Sequence, residues 1–506
     1  MNRPIKDVLR HRVLAAWWWL ALVPVAWFSL FWRLGAQPLQ NWDEGRLAVS
    51  AAEMLQNHRW LVVHFQQKPD LWNTKPPLLV WLQALSLHMF GYSEWAFRLP
   101  TALAALVLTV LVAAFARRWL GGPLAGLLAG LALLSSKGFV TQHVARSGDY
   151  EALLLLFTTA QVLAAFAWLQ TQRPRYLLLL GAAVGLAVLT KSVAGLFLLP
   201  GIAIEIGRRG RLMPLLRQPA AWVAAGLAIG PPLLWYTVRE QAAPGYLQAV
   251  WQNELGGRML GTLEQHDFPW YWYLTSFVNQ QFLLWTPWVL AAGWALARRP
   301  RQRPAHRFLT LAAWAGGIFM ITISLASTKL AWYDAPLYPL LALLLGGGLA
   351  VLARRVSAAG LPTARAQAWR GALLIALAVV PSVIAGQRRL AKEHARRYAE
   401  AELTYGRYLS NTAATAAAGT RFTLLHRSFV ADTRSYNAPL EFYSLAFQQQ
   451  HPQDTVDVRY EPGQLPVGRV VLVCGTTAQT TLEQHYRTRL LYAADSCRTL
   501  RIEGLR

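Results

Sequence analysis

Cysteine is nearly absent from this 506-residue chain. Its two residues, Cys474 and Cys497, are too few for a disulfide scaffold and lack metal-ligand spacing. Charge is scarce as well: 15% of residues are Asp, Glu, Lys or Arg, against roughly 25% in soluble domains. Acids are the scarcer kind, 25 against 49 Lys and Arg, which leaves a net charge of +24. Internal repeats and low-complexity tracts are missing. These absences exclude a soluble enzyme, a disordered tail and a collagen-like chain. What fills the space is apolar: 55% hydrophobic residues, 23 Trp and a mean hydropathy of +0.27. The composition is that of a multi-span membrane protein.

Apolar runs near the spanning length of about 20 residues recur along most of the chain. Spans are expected at 14–34, 98–116, 122–140, 151–170, 176–190, 193–207, 219–237, 273–297, 308–326, 336–353 and 371–387. The first lacks a small-residue cleavage site and keeps Trp17, Trp18 and Trp19 at its inner edge, so it reads as a retained anchor. Residues 76–90 are apolar but short, and read as an interfacial or re-entrant helix inside a long external loop, 33–97.

Lys and Arg in short loops set the orientation. One alternate set of loops, with the N-terminus, carries 21 basic residues against two acids, Asp7 and Glu205; the other set, with flanks, carries 12 of each. The basic loops are therefore expected to be cytoplasmic. The high pI of 10.6 reflects membrane orientation, and no nucleic-acid partner is expected. After about residue 388 the pattern changes to mixed charge with short β-like runs, 421–425 and 469–473. The expected domains are a transmembrane part, 1–389, and a soluble external α/β domain, 390–506. Cys474 and Cys497 either pair there, in an oxidising compartment, or Cys474 is a buried thiol on a strand.

Ionisable residues beside a membrane are costly, and so informative. Here they collect in the external loops. Asp43 and Glu44 precede Arg46, an order that suits a base beside a bound anion; equally, Asp43 caps a helix. Lys75, fixed by Pro76 and Pro77, either pairs with a lipid phosphate or snorkels among headgroups. Arg146, Asp149 and Glu151 precede a span, and Lys191 stands between two apolar runs, as a ligand or as the closure of a tight turn. The loop 238–272 offers Glu254, Arg258 and His266, the last either a metal ligand beside Asp267 or a solvated loop residue. Lys329 and Tyr333 lie at the outer end of another span. Arg46, Lys75, Lys191, Arg258 and Lys329 together suit the phosphate of a lipid-linked donor, with Asp43 activating an acceptor.

At these residues the sequence resembles the GT-C glycosyltransferases of the protein-O-mannosyltransferase type. The likeness is strongest to the bacterial branch that includes the lipid A aminoarabinose transferase. It spans residues 14–350 or so. It rests on Asp43-Glu44 with Arg46, Lys75-Pro76-Pro77-Leu78, Phe97-Arg98-Leu99-Pro100, Arg146 with Asp149, Thr190-Lys191, and Ser327-Thr328-Lys329-Leu330 leading to Pro336-Leu337-Tyr338-Pro339.

The resemblance implies a polytopic GT-C fold of about 11–13 transmembrane helices with the C-terminal α/β domain. It implies an inverting, nucleotide-free transfer from a polyprenyl-phosphate sugar to a lipid, glycan or protein acceptor, at the outer face of a bacterial inner membrane. By the resemblance Asp43 is the catalytic acid/base residue, Asp149 a second acidic site residue, and Arg46 and Lys75 contact the donor phosphate; Glu44 is expected beside Asp43 in the catalytic set, with Trp72, Arg146, Glu254, His266 and Tyr333 around the substrates. Where relatives often carry an acid before Lys-Pro-Pro, Thr74 stands here, and Trp72 and Trp332 stand near lid positions that are frequently Tyr. The first departure weakens a carried-over metal site; a divalent cation stays open, and no other cofactor is called for. The alternatives are a flippase for a lipid-linked sugar and an oligosaccharide polymerase or ligase. The clustering of ionisable groups at one face, without repeated halves, favours the enzyme.

Overall fold

The structure is a computed structural model. It describes residues 20, 22–140, 143–261, 268–276, 282, 285–358, 408–409, 420–425, 438–459, 463–494 and 497–506, with scattered positions between 369 and 388. The chain forms two compact units: Met1–Trp32, Asp70–Leu79 and Thr101–Ala391 make the first; Arg33–Pro69, Val80–Pro100 and Lys392–Arg506 make the second.

Six helices among the described residues are long and apolar enough to cross a membrane: Glu94–Gly121, Glu151–Thr171, Arg175–Leu196, Pro219–Ala242, Pro304–Leu325 and Leu337–Val356. The shortest has 20 residues, about 30 Å at 1.5 Å per residue, which matches a hydrocarbon core. The protein is a multi-pass membrane protein. Glu151–Thr171 is central, with 83% of its apolar stretch buried, and Pro219–Ala242 is peripheral, with 17%. Arg175–Lys191 packs closely on Pro219–Ala242 because Gly181 and Gly185 face it. A Cβ added at Gly181 would lie 2.1 Å from the Ala224 carbonyl oxygen, the small-residue packing of membrane helices.

Four further apolar helices are shorter: Leu22–Phe31, Leu78–Phe90, Pro123–Ser135 and Thr286–Ala297. At 13 residues, Leu78–Phe90 is too short to cross, as its sequence suggests. The expected spans at 176–190 and 193–207 differ from what forms. The first helix continues through a 3-10 turn to Leu196, and the next, Leu199–Arg208, has only ten residues. Pro200 in its first turn starts it, and Glu205, buried and paired with Arg208 and Arg209, ends its apolar character early. The expected span at 371–387 lies largely outside the described residues.

The second unit holds a five-stranded sheet in the order β4-β3-β5-β7-β6. Its strands are β3 (Arg421–Leu425), β4 (Thr455–Arg459), β5 (Val470–Cys474), β6 (Tyr486–Ala494) and β7 (Cys497–Leu505), while β1 (His64–Phe65) and β2 (Lys68–Pro69) form a separate hairpin. Strand β3 pairs in parallel with β4 and β5, and β7 runs antiparallel between β5 and β6. Alternation places Phe422, Leu424 and Leu472 in one apolar layer and Leu425, Val471 and Val473 in another. Cys474 and Cys497 are register partners and form a disulfide, which decides between the two readings of their sequence.

Helix Asp43–Asn57 belongs to this same unit and packs on helix Ala438–Gln450. Gly45 permits the approach: a Cβ there would lie 2.7 Å from Pro439. Tyr443, from the second of these helices, accepts a hydrogen bond from the Leu39 N–H (3.0 Å) and donates to Glu94 (2.9 Å). Much of the stretch 33–97, expected as an external loop with an interfacial helix, belongs to the second unit.

Candidate functional site

In the first unit, polar side chains gather at the ends of membrane helices. Asp149 is buried just before helix Glu151–Thr171. Its Oδ2 lies 2.5 Å from Nδ1 of His143, and its Oδ1 accepts the Tyr150 N–H at 2.7 Å. Burial pushes this carboxyl upward. The hydrogen bond and charge of His143, with Lys191 behind it, outweigh burial and hold Asp149 well below the usual carboxylate range. The His143 ring is fixed from its other side, stacked on Trp332 with centroids 3.5 Å apart. Its backbone sits at φ 66°, a conformation that a non-glycine residue adopts at a cost.

Beside this pair, Lys191 ends its helix and is ion-paired with Glu151, the first residue of the neighbouring span. Both are buried, where either charge alone would be expensive. The Lys191 ammonium also lies 5.5 Å from the Tyr333 ring centroid. Lys75 approaches from the segment before Pro76: its ammonium is 3.7 Å from Glu254 Oε1 and 5.6 Å from the Tyr150 ring centroid. Thr74 donates to the same Glu254 oxygen at 3.0 Å, Tyr246 donates to the Thr74 carbonyl at 2.6 Å, and Asn73 donates to Tyr150 at 3.0 Å. Tyr150 therefore links the Lys75–Glu254 pair to the Asp149–His143 pair. Three cationic or potentially cationic groups and three acids meet where a phosphate and a developing charge could both be held.

Residues 74–236 match the family described as dolichyl-phosphate-mannose-protein mannosyltransferase. The undecaprenyl phosphate-alpha-4-amino-4-deoxy-L-arabinose arabinosyl transferase of Edwardsiella ictaluri is 30% identical over 346 residues, covering 66% of this chain and 59% of that protein. Its counterpart in Aeromonas salmonicida is 29% identical, covering 70% and 64%. The chain thus spans less than two thirds of the length of either relative. Among solved structures, ArnT from Cupriavidus metallidurans, bound to undecaprenyl phosphate, superposes with a TM-score of 0.68 at 18% identity, covering 96% of this chain and 98% of that one.

The chain has the GT-C fold, in its ArnT-like form.

Several residues expected at the site have other work in this GT-C structure. Glu44 does not stand beside Asp43 as a second base: it is buried and gripped by Arg98, which donates from Nε (2.7 Å) and Nη2 (2.9 Å), and it accepts the Gln40 N–H (2.9 Å). Arg146 donates to the carbonyls of Ser29 (3.1 Å) and Trp32 (2.8 Å). There it satisfies chain-end carbonyls of helix Leu22–Phe31 that have no partner within the helix. Lys329 is buried and donates to the Ala326 carbonyl at 2.7 Å, capping the end of helix Pro304–Leu325. Each of these side chains thus has a partner within the fold.

The others keep more open positions. Asp43 is half-buried in the first turn of its helix; the cap residue is Trp42, at φ 69°, so Asp43 is not the cap that its sequence also allowed. Arg46 stacks over Phe65 at 4.0 Å. The Trp72 side chain is exposed, and its carbonyl accepts from Asn253. Arg258 lies in the π-helical turn Trp251–Leu260, but its side chain and all of His266 are outside the described residues. His143 was missed in the sequence because nothing marks a single His; its nearness to Asp149, six residues on, was the available signal. Tyr150, Asn73 and Tyr246 act through contacts too remote in sequence to read.

Proposed function

We propose that the protein is an inverting membrane glycosyltransferase. It moves a sugar from a polyprenyl-phosphate donor to a lipid acceptor, lipid A by the resemblance to the lipid A aminoarabinose transferase, at the periplasmic face of a bacterial inner membrane. The observation that carries this reading is the linked set Lys75–Glu254, Asp149–His143 and Lys191–Glu151 at the ends of apolar helices. In the proposed reaction an acceptor oxygen attacks the anomeric carbon. The bond from that carbon to the phosphate oxygen breaks, and polyprenyl phosphate leaves with the bonding electrons. Lys75 meets that charge. At 3.7 Å its pairing with Glu254 is loose, so an incoming phosphate, a stronger partner for an ammonium, displaces the carboxylate. Where the acceptor is a hydroxyl, Asp43 takes its proton. Asp149, kept ionised by His143 and Lys191, stabilises positive charge that builds on the sugar ring as the bond breaks.

The test is transfer from an undecaprenyl-phosphate sugar to lipid A in detergent, read by mass spectrometry. A mass increase of one sugar, lost in Lys75→Ala and Asp149→Asn, supports the reading. A ladder of masses indicates a polymerase. Movement of donor across proteoliposomes without any product indicates a flippase.

A further inference from the structure

A second charged cluster lies at the far end of the same helices. Helix Leu337–Ala358 starts just after Asp334 and carries Arg354 and Arg355 near its end; helix Pro304–Leu325 starts just after Arg303 and finishes just before Lys329. About 20 residues of helix, roughly 30 Å, separate this end from the polar groups at Tyr333 and Asp334. Trp294, half-exposed near the end of helix Thr286–Ala297, is flanked by two guanidinium groups. Arg298 lies 4.5 Å and Arg355 5.9 Å from its ring. Arg354 donates to the Gly121 carbonyl, which holds it beside the others. Arg299 feels the cluster directly: burial, then the charges of Arg355, Arg354 and Arg303, hold its guanidinium below the ordinary range.

No acid neutralises these groups from their own segments. The sequence has no Asp or Glu between Asp267 and Asp334, nor between Asp334 and Glu393. Like charges held together at a protein surface repel, and a bound anion relieves that repulsion. The apolar side chains next to the cluster, Trp294 and the exposed Leu290 one turn before it, offer acyl chains a surface directly beneath the guanidinium groups. We infer that Arg298, Arg299, Arg303, Arg354 and Arg355 with Trp294 form a binding site for the headgroup phosphate of an anionic phospholipid. It is separate from the donor site, and its occupant lies in the leaflet at the opposite ends of these helices.

Native mass spectrometry of the purified, delipidated full chain tests this, with phosphatidylglycerol and phosphatidylcholine as probes. Wild type should retain phosphatidylglycerol over phosphatidylcholine. Each guanidinium lost near an anionic headgroup should weaken retention roughly fivefold, so R298Q/R355Q should lose ~25-fold. R298K/R355K should keep most of it, since the charge survives. Binding of undecaprenyl phosphate serves as the check that each variant is folded. Equal retention of the two lipids by wild type, or of phosphatidylglycerol by R298Q/R355Q, would overturn the site. Displacement of phosphatidylglycerol by millimolar inorganic phosphate would show that a free anion, not a lipid, is the ligand.

Discussion

Glu44 adjoins the proposed base, Asp43, yet its surroundings make it a strut. Arg98 is fully buried, and its five N–H groups are all committed: two to the Glu44 carboxylate and three to the carbonyls of Leu34 (3.0 Å), Gln37 (2.6 Å) and Pro38 (2.9 Å). Glu44→Ala removes the carboxylate that both pairs with that guanidinium and accepts two of its hydrogen bonds. Breaking a buried pair from one side costs about 3–5 kcal/mol, which multiplies the population of the locally opened second unit by roughly 10²- to 5 × 10³-fold. Native-state proteolysis of the full chain in detergent reads that population when reclosing is faster than cleavage. Cleavage within residues 33–69 should accelerate by that factor in Glu44→Ala, while Asp43→Asn should match wild type. Wild-type cleavage rates in Glu44→Ala would refute the reasoning.

Three further outcomes follow from the geometry. Asp149 is held below the ordinary carboxylate value, so its stabilising contribution is present above about pH 4 and is lost as the pH falls further. His143→Gln should move the onset of acid unfolding to higher pH, and an unchanged acid limb would contradict the pairing. Glu53 is pushed the other way, to about 7, first by burial and then by Glu441 against the hydrogen bond from the Gln67 N–H. Its contribution is full below about pH 4.5 and is lost as the pH rises through 7, so Glu53→Gln should stabilise the second unit at pH 8 and leave it unchanged at pH 4; a uniform effect across pH would sink this assignment. Finally, the Cys474–Cys497 bridge closes a loop with a sequence separation of 23. Cys474→Ser with Cys497→Ser should cost the second unit about 3 kcal/mol, measured by proteolysis against the oxidised wild type.

The membrane helices were legible because apolar runs of spanning length are a strong, local signal, and β3 and β5 because their apolar runs are short and bounded. Lys75 stands out in the sequence because Pro76 and Pro77 restrict the chain around it. The structural partners of three expected site residues were not legible. Arg146, Lys329 and Glu44 carry the residue types a phosphate-sugar site needs, and each also meets a partner distant in the chain or at a helix end. Arg98, 54 residues from Glu44, is the clearest case. The joining of residues 43–57 to helix Ala438–Gln450 was equally hidden, since Gly45, Tyr443 and Glu94 show their complementarity only when folded.

The central claim is that Lys75 receives the phosphate of a polyprenyl donor, and donor binding by native mass spectrometry tests it most directly. Wild type and Asp43→Asn should retain undecaprenyl phosphate, and Lys75→Ala should not. Equal retention by all three, or by none, would contradict the claim.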